Sequence, residues 1–115
     1  MTSAPETVFW TMLTGADAAR DHIRGAGVES GFRAAFFDED RINIEIPFSL
    51  RKRRRAARLT ATVRPSARGA DIAWTAESGP LNHDHLASIE EKLPEGVMYY
   101  HGLEDAALRA GLSLG

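Results

Sequence analysis

The clearest pattern in the chain is the run Arg41-Ile42-Asn43-Ile44-Glu45-Ile46-Pro47-Phe48. Apolar and polar residues alternate through it, with Pro47 the one interruption. Period two is the mark of a strand with one buried face, because successive side chains point to opposite sides of a sheet. Pro47 has no amide hydrogen, so it must sit outside the ladder or on an edge. Phe32–Phe37 reads as a preceding strand, joined through the polar turn Asp38-Glu39-Asp40. Leu59, Ala61 and Val63 alternate with Thr60, Thr62 and Arg64 in the next one. Pro65-Ser66-Ala67-Arg68-Gly69 forms a hairpin loop, and Asp71–Ala76 follows with Ile72, Trp74 and Ala76 inward. Four successive strands with short connections predict an antiparallel meander.

The flanks of this region carry the helical period. Thr7–Leu13 is rich in β-formers, and Thr14 with Asp17 has the spacing of a capping box, which starts a helix at Gly15. Ala16, Ala19 and Ile23 share a face, and Gly25 and Gly27 end the helix. One helix from Glu6 to Arg24 also fits, at about 1 kcal/mol for a mid-helix Gly15 relative to Ala. After Glu77-Ser78-Gly79-Pro80, a helix from about Asn82 to Leu93 places Leu86, Ile89 and Leu93 on one stripe. Pro94-Glu95-Gly96 breaks it, Val97–Tyr100 is an apolar patch, and Leu103 to Ala110 reads as a short last helix. The chain is thus expected to be one α+β domain over residues 1–115. Its antiparallel meander has four to five strands with helices packed on one face. Ile42, Ile44, Ile46, Leu59, Val63, Ile72 and Trp74 should pack against Leu86, Ile89 and Leu93.

Leu59-Thr60-Ala61-Thr62-Val63-Arg64-Pro65, then Gly69-Ala70-Asp71-Ile72-Ala73-Trp74-Thr75, then a helix, resembles the late strands and C-terminal helix of the helix-grip superfamily. START and polyketide-cyclase-like domains belong to it. The resemblance covers residues 59–93. It implies an antiparallel sheet wrapped around a long C-terminal helix, with an apolar ligand between the two. It carries over no catalytic residue.

Composition narrows the chemistry. The 115 residues suit a single core and include no cysteine, which removes disulfides, thiolate nucleophiles and zinc–sulfur sites together. No signal-peptide pattern stands at the N-terminus and no apolar run is long enough to span a bilayer, so a cytoplasmic location is expected. The net charge of −2 hides an uneven distribution. Arg51, Lys52, Arg53, Arg54, Arg55 and Arg58 hold six of the 14 basic residues, leaving eight against 16 acidic ones elsewhere.

Three functional readings follow. The first is a non-catalytic binding domain for an apolar small molecule held between sheet and helix, with Trp10, Phe36, Trp74, Tyr99 and Tyr100 lining the site. The second is an anion site on Arg51, Lys52, Arg53, Arg54, Arg55 and Arg58, for acidic lipid or nucleic acid. Nucleic acid ranks lower, because no aromatic residue is interleaved in the run to stack on bases. The third is a protein-interaction or homodimer surface at Phe37, Tyr99 or Tyr100. No enzyme constellation emerges. Glu90 and Glu91 read as solvated charge on a polar helix face, and no serine sits in a nucleophile elbow. No glycine pattern makes a phosphate loop. His83, Asp84, His85 and His101 are metal-ligand types with poor spacing, so neither a metal nor a cofactor is expected.

Overall fold

The structure, a computed structural model, describes residues 7–77 and 81–102. The expected last helix over residues 103–110 lies outside them. In chain order the elements are β1 (Thr7–Met12), α1 (Ala16–Glu29), β2 (Arg33–Phe36), β3 (Arg41–Ile46), β4 (Ala57–Ser66), β5 (Gly69–Ala76), α2 (His83–Glu91) and β6 (Tyr99–His101). The class is α+β, with both helices packed against the sheet. The sheet has six strands rather than four or five, in the order β2-β3-β4-β5-β1-β6. Every neighbouring pair is antiparallel.

The alternation read in the sequence sets the two faces. Ile42, Ile44 and Ile46 pair with Ala61, Leu59 and Ala57. Val63 and Ala61 pair onward with Ile72 and Trp74, and these with Trp10 and Val8. All of these point to the side covered by α1 and α2, and most are fully buried. Ala19, Ile23, Ala26 and Gly27 of α1 and Leu86 and Ile89 of α2 close the core. Leu93, the third residue of the expected stripe, lies beyond the end of α2 and is only partly buried. The opposite face carries Thr60, Thr62, Ala73 and Thr75, half-buried and not in the core.

Four boundaries differ from expectation, each for a local reason. First, the N-cap of α1 is Gly15, which makes no side-chain cap bond, so the Thr14–Asp17 box is not formed. Second, α1 runs through Gly25 and Gly27 instead of ending there. Gly27 is a packing residue: a Cβ there would lie 3.2 Å from Ala34 Cβ, so glycine lets the helix settle onto β2. The stop comes at Ser30 and at Gly31, whose φ of 85° belongs to the left-handed region. Third, β4 extends through Pro65, which pairs with Ala70. The ladder tolerates this because Val63 N–H points toward the β3 side, bonding Asp40 O at 2.6 Å. Pro65 has the same parity and lies past the end of β3, where no acceptor waits for its missing hydrogen. Fourth, Tyr99–His101 is a strand, adding an edge beyond β1. The turn at residues 38–40 is as read: Asp38 accepts from the amides of Asp40 and Arg41 and pairs with the Arg41 guanidinium. These bonds hold the Asp38 carboxyl well below the usual carboxylate range.

Candidate functional site

The connection from β3 to β4 is an ordered hairpin tip. Ser49 and Arg54 exchange both backbone hydrogen bonds, each at 2.8 Å. Within that frame Arg53 N–H donates to Leu50 O at 3.1 Å, and Lys52 N–H donates to Ser49 Oγ at 3.2 Å. Arg53 closes the turn at φ 51°, the one positive φ among the described non-glycine residues. A left-handed L-residue costs about 1–2 kcal/mol, and glycine would remove that strain. The turn keeps a cation where the backbone favours glycine.

The six basic residues do not form one group. Arg58 lies in β4, where its guanidinium sits 3.4 Å from Glu45 and 3.7 Å from Glu77. Its charge is already answered. Arg54 is partly committed: its Nε donates to Pro47 O at 3.1 Å and its guanidinium lies 5.2 Å from the Phe32 ring centroid. Arg51, Lys52, Arg53 and Arg55 are exposed, and no carboxylate among the described residues lies within 4.0 Å of them. Four cations on and just after one turn therefore have no ion-pair partner among the described residues.

Two open clefts flank the base of this hairpin. One, of about 490 Å³, runs between Lys52–Ala57, Phe32 and the start of α2 at Asn82, Asp84, His85 and Ser88. The other, of about 550 Å³, shares Ala56, Ala57, Asn82 and His85, and continues to Arg33, Glu45 and Arg58. α2 begins there because Asn82 Oδ1 accepts the amide of Asp84 at 2.9 Å. One turn in, the His85 side chain is only 7% exposed, edge-on to Phe32, and its Nδ1 is buried without a hydrogen-bond partner among the described residues. Burial, and then the positive charge of Arg54, lower its pKa from 6.5, while Asp84 opposes them. Because the folded pKa is depressed, the unfolded chain binds the proton more readily. Stability is therefore complete above about pH 6.5 and falls as the pH drops below it. Urea unfolding midpoints at falling pH should show this slope, and His85→Phe should reduce it.

Of the residues expected to line an apolar pocket, Trp10, Trp74 and Tyr99 come together, while Phe36 and Tyr100 do not join them. Trp10 and Trp74 meet edge to face at 5.0 Å, and Tyr99 lies 5.5 Å from Trp10. Trp10 and Trp74 are 1% and 0% exposed, so they are core and present no surface to a ligand. Phe36 is on β2, four strands away from β1, or about 19 Å at ~4.8 Å per strand. It is 43% exposed, under the guanidinium of Arg20 at 4.7 Å. Tyr100 points to the opposite face from Tyr99 and pairs with Thr11. Phe37 is exposed beside Arg41 at 4.6 Å.

Sequence reasoning missed one cluster. Glu90 is not plain solvated charge: it accepts from Tyr99 Oη at 3.1 Å and pairs with His101 Nε2. Burial and the Glu90 carboxylate push the Tyr99 pKa up. This set staples α2 to β6, and Glu90 reaches it because Tyr99 and His101 share a face of a strand too short to announce itself in the sequence. It also separates His101 from the other residues weighed as metal ligands. No group of three or more His, Asp or Glu side chains among the described residues is placed to hold a metal. No helix among them is long and apolar enough to cross a membrane. No family model matches the chain, and no curated protein matches it.

Proposed function

We propose that this domain binds anionic surfaces through the β3–β4 hairpin, in a non-catalytic role. The observation that carries the reading is the set of four exposed cations, Arg51, Lys52, Arg53 and Arg55, with no carboxylate among the described residues within 4.0 Å of them. The rest of the chain has an excess of acidic residues that could have neutralised them, as Glu45 and Glu77 neutralise Arg58. The strained Arg53 supports the same reading. Strain of this kind persists where the surrounding structure holds it, and it is concentrated at functional sites. The guanidinium fork suits phosphate oxygens, and an ordered turn presents the group without a large ordering penalty on binding.

Duplex DNA serves as a reference polyanion of known charge density. The logarithm of its affinity should fall linearly with the logarithm of salt, with a slope of about −3.6 for four contacts at −0.9 each. Replacing Arg51, Lys52, Arg53 and Arg55 by Ser should flatten that slope and lower the affinity at low salt by more than tenfold. Arg53→Gly should weaken binding while raising the unfolding midpoint, because it removes both a cation and the strain. Binding that ignores salt, or survives in the fourfold variant, would dismiss the reading.

A further inference from the structure

The same hairpin exposes two large apolar side chains beside its cations. Leu50 is 81% exposed and Phe48 is 63% exposed, and the two flank Ser49 at the entry to the turn. Neither is needed by the fold: the turn is held by backbone bonds and by Ser49 Oγ, and the core lies elsewhere. An ordered turn that carries Phe48 and Leu50 at its entry, beside four cations with no ion-pair partner among the described residues, has two chemistries to match at once. A nucleic acid answers the cations, and its bases could stack on Phe48, but it offers nothing apolar to an aliphatic Leu50. An acidic protein partner answers the cations at the rim, but a two-residue tip is far smaller than a stable protein interface. An anionic bilayer answers both, since acidic headgroups lie directly above hydrocarbon.

Resting on the anion-binding reading above, we infer that the hairpin is a membrane-surface anchor. Arg51, Lys52, Arg53 and Arg55 take the headgroup phosphates and carboxylates of acidic lipids, while Phe48 and Leu50 enter the acyl boundary. The shape of the charge distribution fits a planar partner. Four cations are gathered on the β3–β4 connection, whereas the acidic excess is spread over the remaining chain. Touching a plane with the tip alone limits the repulsion that the acidic body would feel.

The test is sedimentation of the full chain with vesicles of phosphatidylcholine containing phosphatidylserine, against vesicles of phosphatidylcholine alone. Duplex DNA binding is measured in parallel. The wild type should bind the acidic vesicles and leave the neutral ones in solution. Each cation removed should weaken that binding roughly fivefold. The double variant Phe48→Ser/Leu50→Ser should keep its salt-dependent DNA affinity but lose vesicle binding by roughly tenfold or more. In a second readout, Phe48→Trp should be quenched by lipids brominated in their acyl chains, while the buried Trp10 and Trp74 of the wild type are not. Vesicle binding unchanged in the double variant, or an unquenched Trp at position 48, overturns the anchor. So does binding to DNA without binding to acidic vesicles, an outcome that leaves the anion reading standing and names nucleic acid as its partner. Loss of both activities from the wild type defeats both readings.

Discussion

Trp74→Ala is expected to remove a large share of the domain's stability and to lower its urea midpoint sharply. Trp74 is fully buried at the centre of the sheet, between Ala61 on β4 and Val8 on β1. Its ring meets Trp10 at 5.0 Å, edge to face. Truncation removes the apolar contacts of the indole and leaves a hole that the flanking strands cannot close, because they are held by ladder bonds on both sides. Substitutions of this kind cost about 3–5 kcal/mol. A domain of this size has about 5–15 kcal/mol in all, so the loss is a large share. Trp74→Phe should recover much of it. The Trp74 Nε1–H is buried with no partner among the described residues, so exchanging it for a hydrocarbon edge gives up no hydrogen bond seen there. Urea titration followed by far-ultraviolet circular dichroism would rank the three proteins. An alanine variant as stable as the wild type would show that the core is not packed as described.

Gly69→Ala should be nearly as damaging, for a different reason. Gly69 opens β5 at φ 147°, a conformation that side chains rarely adopt. A Cβ built there would press on the Met12 carbonyl oxygen and lie 2.6 and 2.7 Å from Thr14 O and N. All three are backbone atoms, so no side chain can rotate out of the way. The β4–β5 turn and the end of β1 would have to separate, breaking the Met12–Ala70 register that joins the first strand to the sheet. Strain of about 1–3 kcal/mol adds to the cost of that displacement. Gly25→Ala makes the contrast: nothing lies within 4 Å of a Cβ there, its φ is helical, and it should stabilise by about 0.5–1 kcal/mol. Thermal midpoints of the two variants should therefore move in opposite directions.

The strands that alternate were legible because one-sided burial writes itself into period two. Arg41–Ile46 is the plainest case, and its bounds were nearly right. β6 was not legible. Three residues are too few to show a period, and its existence depends on β1 offering an open edge that no local pattern reveals. The end of α1 was misjudged because glycine has two uses. At Gly27 its missing Cβ serves packing against Ala34, and only at Gly31 does it serve the backbone. The arginine run was visible as composition, but its division was not. Arg58 belongs with Glu45 and Glu77 because those residues lie across and beside it, one on β3 and the other just past β5. The aromatic residues were grouped on chemistry alone. Strand order then set Phe36 far from Trp10, and order is the property that a single sequence expresses least.

That strand order also has a consequence for how the chain is made. β1 leaves the ribosome before the other strands of the sheet, yet its partner β5 lies some sixty residues further on, as the Thr11–Asp71 pair shows. At ~5–20 residues per second, that leaves β1 without its partner for about 3–12 s. During that interval Val8, Phe9, Trp10 and Met12 have no sheet to join. The β2–β5 hairpins, by contrast, close over short separations and can form as they emerge. Newly made chains should therefore assemble the meander first and take in β1 only after it, with β6 adding to β1 afterwards. The N-terminal strand is the segment for which a holding chaperone would have most to do.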